Sequence, residues 1–508
     1  MMVSPPRSGS ALRSPEIGDD VTQQKSGWLM TAVLIVIGLV LRLQYLSQPM
    51  RYDESVTYLY FATRPWLVVF ASYRYPNNHI LHTALVKAVT GVFGNAPWAI
   101  RLPAFAFGLA IVALTFAVGR RLVGVRAAWI GTAIVAASGP MILYSTNARG
   151  YSLVGCATLT MLLLLLRLRE RASRRDWIGV VIAATLGVWA IPVMLYPAGG
   201  LALWFLWSAF SGDTSNGRND IRRLIVAVAG TAVATAVVYS PVILAQGVHP
   251  IVGNSFVTAS TWSAFVRDLS AAVPDLWSSW SIGVPRIITL ALLVLAIVGE
   301  VASRRDRRRR VSVAGAMSLW CVVLLLATHR VPFVRVALFA LPLVALLSGL
   351  GITTLLSQVA RVKQSQNIIA AGSIAPAVLL SVSVVISRAV LASTETGTLR
   401  DAPAITQFLA TTLHPGDRVL APVPSSAPLE YYFVRSGLDA SYLTAEPKVD
   451  GNVYLVVNVA EGFTINSPLH GEPFLQRFND ASLLRGFPAT STGAAATPSA
   501  ELYHLLSK

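Results

Sequence analysis

Apolar residues recur along most of the chain in long runs that contain few charges, and short basic or polar stretches separate one run from the next. A helix needs about 20 apolar residues to cross a bilayer. The first run, from Trp28 to about Ser47, has that length. Later runs predict spans over 100–119, 127–143, 151–166, 224–244, 287–301, 311–327, 336–356 and 368–390. Between 177 and 210 the pattern predicts a shorter pair, broken at Ile191-Pro192 and Tyr196-Pro197. Together these give roughly eleven spans. The strands of a closed barrel would be short and would alternate apolar with polar residues, so a barrel is excluded. The prediction is a polytopic α-helical membrane protein.

The connections between runs are patterned too. In the 48–97 connection, residues 55–70 are aromatic-rich and amphipathic, as expected of a helix lying in the interface. Residues 80–93 keep Leu81, Leu85, Val89 and Val92 on one face and Lys87 on another, which predicts a second interfacial helix. The 245–286 connection is a long loop carrying Trp262, Trp277 and Trp280, read as interfacial anchors and as a cover for a lipid-linked substrate. Residues 1–27 are rich in Ser, Pro and charge and are read as a disordered tail. From 391 onward the composition changes. Segments 402–413 and 427–436 read as helices and 418–422 and 453–459 as strands, which predicts a small α/β domain over 391–508. Residues 28–390 then form the membrane domain.

Composition agrees with this division. The 508 residues are 54% hydrophobic and only 13% charged, with a mean hydropathy of +0.60. The net charge of +17 lies largely in short loops and at run ends, such as Arg120-Arg121, 167–175, Arg222-Arg223 and 304–310. Basic loops alternate with poorly basic ones, so the basic ones face the cytoplasm. The N-terminus is therefore cytoplasmic, and Asp53 and the C-terminal domain lie on the opposite, extracytoplasmic side of the cell membrane. The 304–310 cluster reads as an anchor for anionic headgroups. It has no aromatic or motif context, so nucleic acid is not an expected partner. Cys156 and Cys321 both fall inside apolar runs and offer neither a disulfide framework nor a cysteine metal site.

The chemistry-bearing residues gather at the ends of spans on the extracytoplasmic side. Asp53 and Glu54 follow the first run directly. An acid is costly at membrane depth, so an acidic pair at the lip of a span points to chemistry at the water–lipid boundary. No nucleotide sugar is available on that side, so a transferase there takes its donor from a lipid. A polyprenyl phosphate leaving group needs cationic partners, and the acceptor hydroxyl needs a carboxylate base. Asp53 and Glu54 are the catalytic candidates. Arg74, His79, Arg149, Arg330 and Arg335 are the candidates for binding the phosphate. Arg330 and Arg335 sit in a short loop against the positive-inside trend, and an anionic ligand is the reason to keep them there. Arg101 is read as a helix-end anchor. The rival reading is a secondary transporter or lipid flippase, but such proteins place polar residues at the midplane and often show repeated halves.

Several short motifs, in their order, resemble a known family. They are Tyr52-Asp53-Glu54, Asn77-Asn78-His79-Ile80-Leu81-His82, Phe93-Gly94, Trp98-Ala99-Ile100-Arg101-Leu102-Pro103, Gly119-Arg120-Arg121-Leu122 and Asn147-Ala148-Arg149-Gly150-Tyr151-Ser152. With these the chain resembles GT-C membrane glycosyltransferases, in the group of dolichyl-phosphate-mannose protein mannosyltransferases and lipid A aminoarabinose transferases. The resemblance implies a GT-C-like fold and transfer of a hexose or pentose from a polyprenyl-phosphate-linked donor. The implied acceptor is an envelope lipid, glycan or protein. It also implies Asp53 as base, Glu54 as its neighbour, and Asn78, Arg149 and Tyr151 near the substrate. Many relatives carry Glu where this chain has Asn147, so a second carboxylate from that loop is missing, and no metal or other cofactor is expected.

Overall fold

The computed structural model describes residues 17–214, 217–253, 259–304, 311–359, 378–446, 451–467, 478–488 and 498–507. Most of the 1–27 tail, and 305–310 of the basic cluster, lie outside the described residues. The first helix, Ile17–Leu46, already begins inside the stretch read as a disordered tail. Among the described residues, seven helices are long and apolar enough to cross a membrane: Leu29–Leu46, Pro97–Leu122, Tyr151–Glu170, Pro192–Phe210, Arg218–Gln246, Arg286–Ser303 and Val334–Ser357. Val125–Ala137 and Gly139–Ser145, bent by 58°, make an eighth when taken as one span. The other expected spans are shorter helices, such as Val313–Thr328, or lie partly outside the described residues, as 368–390 does. The protein is a polytopic helical membrane protein with a small C-terminal sheet domain.

The bend has a local cause. Pro140 has no amide hydrogen and its ring crowds the carbonyl four residues back, so the helical ladder cannot continue past it. The freed carbonyl of Ala136 accepts a hydrogen bond from Arg42 Nη1 at 2.9 Å, and Arg42 Nε donates to Ser145 Oγ at 2.9 Å. A charge inside the first span is thus held between the two halves of the bent helix. The opposite face of that span leaves Val36, Val40 and Leu43 exposed, as a surface meeting lipid would.

The 48–97 connection is built differently from its pattern. Instead of one interfacial helix over 55–70, there is a short helix Tyr52–Thr57, a π-helical turn Tyr58–Ala62, and a separate helix Trp66–Ala71 that begins after Pro65. The Ile80–Phe93 helix forms where expected. Its buried positions are Ile80, His82, Thr83, Ala84 and Val86, while Val92 is exposed. In the 245–286 connection the main feature is a 19-residue helix, Trp262–Trp280, where the sequence reading has only a loop.

The C-terminal domain holds a four-stranded sheet in the order β1-β2-β4-β3, with β1 Arg418–Leu420, β2 Val453–Val457, β3 Phe478–Pro488 and β4 Pro498–Ser507. β1 and β2 run parallel; β2–β4 and β3–β4 are antiparallel. The β3–β4 hairpin is an addition to the sequence reading. Helix Ser426–Ser436 seats the domain on the 48–97 connection. Ala427 packs with Val56 and Phe61, and Tyr431 packs with Met50, Leu59 and Ile100. The Tyr60 hydroxyl donates to Glu430 Oε2 at 2.6 Å, and that of Tyr431 to the Asn95 carbonyl at 2.6 Å.

Candidate active site

Asp53 and Glu54 occupy the first turn of the Tyr52–Thr57 helix, where a helix favours acids because its amide dipoles point toward them. On a helix, neighbouring side chains diverge, and the pair separates accordingly. Glu54 is fully buried beneath the connection. Its Oε1 accepts the Arg51 amide at 2.9 Å, and Oε2 accepts the Ala148 amide at 2.9 Å. Arg101 grips both oxygens, through Nε to Oε2 at 3.0 Å and through Nη2 to Oε1. The remaining Arg101 donors go to the carbonyls of Leu46, Gln48 and Pro49. The sequence reading pairs Glu54 with Asp53 as a catalytic candidate; in the structure every carboxylate lone-pair direction of Glu54 is taken by an internal donor. Glu54 and Arg101 hold the end of the first span, the Asp53 helix and the 147–151 turn together. Arg101 is a buried clasp and not an interfacial anchor.

Asp53 faces the other way, into a cavity of about 570 Å³. Its Oδ1 accepts from Asn77 Nδ2 at 3.1 Å. Its Oδ2 is buried and accepts no hydrogen bond among the described residues. Two guanidiniums flank that oxygen: Arg335 Nη2 at 3.5 Å and Arg149 Nε at 4.0 Å. Arg149 Nη1 donates to Thr57 Oγ1 at 3.0 Å and to the Asn77 carbonyl at 2.9 Å. Its Nη2 lies 3.1 Å from His79 Nε2, while His79 Nδ1 accepts the Gly150 amide at 2.9 Å. Burial first, and then the charges of Arg149 and Arg335, push His79 well below its ordinary pKa, so the ring is neutral. Arg335 Nε donates to the Tyr151 hydroxyl at 2.9 Å, and its guanidinium stacks 4.2 Å from the Phe333 ring.

The cavity wall therefore unites Asp53, His79, Arg149, Tyr151, Arg330 and Arg335 from the candidates. It adds Asn77, which the sequence reading quotes within a motif without giving it a role. One side of the wall is apolar, with Ile191, Val193, Leu195, Ile251, Leu324 and Val336. Two candidates lie elsewhere. Arg74 is exposed and does not line the cavity. Asn78 is fully buried and donates from Nδ2 to the carbonyls of Val69 and Ser72 at 3.0 and 2.6 Å, so it shapes the loop instead of meeting a ligand. A carboxylate does approach the 147–151 turn, from a distant part of the chain: Glu395 Oε2 accepts the Tyr144 hydroxyl at 2.6 Å. Among the described residues, no group of three or more His, Cys, Asp or Glu side chains converges.

This geometry can be set beside known proteins. The family model for dolichyl-phosphate-mannose-protein mannosyltransferases matches residues 77–244, a third of the chain that includes His79, Arg149 and Tyr151 but not Asp53. ArnT from Cupriavidus metallidurans, solved in the apo state, superposes with a TM-score of 0.57 at 13% identity, covering 95% of this chain and 98% of that one. The same protein bound to undecaprenyl phosphate gives 0.52 at 14% identity, covering 94% and 98%. No curated protein sequence matches significantly. The chain thus has the GT-C fold of membrane glycosyltransferases and resembles the dolichyl-phosphate-mannose protein mannosyltransferase and ArnT group.

Proposed function

We propose that this protein transfers a sugar from a polyprenyl-phosphate-linked donor to an acceptor hydroxyl at the outer face of the cytoplasmic membrane. The observation that carries the reading is Asp53 Oδ2, a buried carboxylate oxygen that accepts no hydrogen bond among the described residues and stands 3.5–4.0 Å from two guanidiniums at a cavity wall. A hydroxyl entering there finds a proton acceptor, and a phosphate beside it finds fixed positive charge. In the step, the acceptor O–H gives its proton to Asp53 as its oxygen bonds to the anomeric carbon of the sugar. The bond from that carbon to the phosphate oxygen breaks, and the polyprenyl phosphate leaves with the electron pair. Arg149, Arg335 and Arg330 meet the charge that grows on the leaving phosphate, with Arg149 and Arg335 able to present forked donors. His79, held neutral with Nδ1 taken by the Gly150 amide, adds no charge beside Arg149.

The apolar flank suits a lipid chain, and the solved relative with undecaprenyl phosphate in place supports a polyprenyl phosphate as the carrier. The arginines supply the cationic partners, so the reading needs no metal. The transport alternative calls for ionisable groups at mid-span. Arg42 lies inside a span, but its Nε and Nη1 bind Ser145 and two backbone carbonyls, while the cavity's charges gather in the connecting segments and at helix ends.

The test presents a panel of undecaprenyl-phosphate-linked hexoses and pentoses to membranes holding equal amounts of wild-type protein or Asp53→Asn, and measures release of undecaprenyl phosphate. The amide keeps the volume and removes the proton acceptor. Release should fall by roughly 10²–10⁴-fold, the usual contribution of general acid–base catalysis. Wild-type release by Asp53→Asn would remove the base and the reading built on it.

A further inference from the structure

The first amides of any helix have no partner within it. In the helix that carries Asp53, two of these donors are met from more than 300 residues away in sequence. The Tyr52 amide donates to the Gly397 carbonyl at 3.1 Å and the Asp53 amide to the Thr396 carbonyl at 3.2 Å. Arg51, almost fully buried, reaches the same segment from its other side, donating to the carbonyls of Ser393, Glu395 and Val390 at 2.6, 3.2 and 2.7 Å. Thr398 bridges to Arg51 as an isolated antiparallel pair. The segment 393–398 joins the membrane domain to the C-terminal domain, and it runs along the base of the Asp53 helix as a strap.

The strap also touches the cationic side of the cavity. Asn147 Nδ2 donates to Thr396 Oγ1 at 2.9 Å, two residues before Arg149. Glu395 takes the Tyr144 hydroxyl, and the Tyr144 ring packs edge-on against Tyr151 with centroids 5.3 Å apart. Tyr151 in turn receives the hydrogen bond of Arg335. On its far side the strap is fixed to the C-terminal domain: the Thr398 amide donates to Glu461 Oε1 at 2.8 Å, and Asn458 Nδ2 donates to the Thr398 carbonyl at 2.6 Å.

The backbone shows how narrowly this course is set. Thr396 and Gly397 both have positive φ, at 73° and 70°. A β-branched residue adopts that conformation only where its surroundings impose it. A Cβ added at Gly397 would stand 2.8 Å from the Tyr52 Cβ and 2.5 Å from the Pro424 Cβ, so only glycine lets the Asp53 helix, the strap and the C-terminal domain close together.

We propose that the 393–398 strap is the mount that sets Asp53 against the cations of the cavity, with Thr396, Gly397 and Asn147 as positioning residues, so that the C-terminal domain governs catalytic geometry. This rests on the transfer reading given above. A strap that only joined two domains would have no reason to cap the base's helix and reach the Tyr144–Tyr151 pair at once.

The test uses the full chain in nanodiscs, with Asn147→Ala and Gly397→Ala as disrupting variants, Thr396→Ser as the conservative one and Ala392→Ser as a control in the neighbouring exposed turn. Three readouts are taken: hydrogen exchange of the Tyr52 and Asp53 amides, binding of undecaprenyl phosphate as the probe of the phosphate site, and turnover of whichever undecaprenyl-phosphate-linked sugar the wild type uses. Asn147→Ala should speed exchange by about tenfold or more. It should lower kcat on the order of 10²-fold, the loss expected when a reacting group is displaced by about 1 Å, with undecaprenyl phosphate affinity changed by less than about threefold. Thr396→Ser keeps the hydroxyl and should behave as wild type. Gly397→Ala should show the same losses; if it fails to fold, Asn147→Ala alone decides. Faster exchange with unchanged kcat, or unchanged exchange in Asn147→Ala, would overturn the proposal. If the wild type turned over no lipid-linked sugar, the transfer reading would fall, and the amide exchange would still show whether the strap holds the Asp53 helix.

Discussion

Glu54→Gln should act on the stability of the fold and not directly on the chemistry. The two oxygens of Glu54 accept four donors: the Arg51 amide and Arg101 Nη2 on Oε1, the Ala148 amide and Arg101 Nε on Oε2. Whichever way the amide turns, its NH₂ group faces two of those donors and satisfies neither. The Arg101 guanidinium, fully buried, is left without its counter-charge. Removing one partner of a buried ion pair costs about 3–5 kcal/mol, a large share of the roughly 5–15 kcal/mol by which folded proteins are stable. The assay is thermal unfolding of purified protein in nanodiscs together with its abundance in membranes, for Glu54→Gln, Arg101→Gln and the double variant. Each single change should lower the melting temperature strongly. The double change should cost less than the sum of the two, since the second removes a group already stranded. Wild-type melting for Glu54→Gln, with turnover lost, would refute the clasp and return Glu54 to catalysis.

Arg149→Ala should weaken undecaprenyl phosphate binding by roughly 10- to 100-fold, because a charge-assisted hydrogen bond contributes about 1.5–3 kcal/mol. Lysine should restore only part of it, as it cannot form the fork; unchanged binding with normal melting would leave Arg149 a packing residue. His82 is fully buried with neither ring nitrogen hydrogen-bonded among the described residues, and burial, aided by Arg149, pushes its pKa from 6.5 down to about 3. The unfolded chain therefore takes up a proton that the folded one refuses. Stability present above pH 6.5 should be lost as the pH falls toward 3, on the order of 1 kcal/mol per pH unit for this group. Melting scans of wild type and His82→Leu between pH 7.5 and 4.5 should show a shallower slope for the variant, and equal slopes would contradict the assignment. Dialysis against EDTA should leave sugar transfer intact if guanidiniums carry the phosphate's charge, and activity restored only by an added divalent cation would show otherwise.

The parts legible in the sequence are those whose signal is local. Long apolar runs gave spans because a bilayer fixes their length. Asp53 and Glu54 stood out together because acids are costly at membrane depth, and Ile80–Phe93 emerged with its bounds intact from an amphipathic repeat. Pro65 and Pro140 marked breaks that a reading by apolarity alone passed over, and each begins a new helix in the structure. The β3–β4 hairpin escaped because its register depends on pairing with β2 as much as on its own residues.

What could not be read locally is which of two adjacent acids faces the cavity. Asp53 and Glu54 carry the same charge on consecutive positions, and their roles diverge only because Arg101, 47 residues on, arrives beneath one of them. Arg101 is itself a single basic residue near a helix start, the usual signature of an interfacial anchor, and nothing in its neighbours announces three carbonyls and a carboxylate waiting for it. The same holds for Glu395 and Thr396, which sit in an unremarkable polar stretch until the chain returns to the first helix. Functional side chains in this protein are thus selected by what buries their neighbours. A carboxylate whose lone pairs are all taken is part of the scaffold; the one beside it has a buried oxygen that accepts no hydrogen bond among the described residues and stands between two guanidiniums, and the proposed transfer puts the acceptor hydroxyl there.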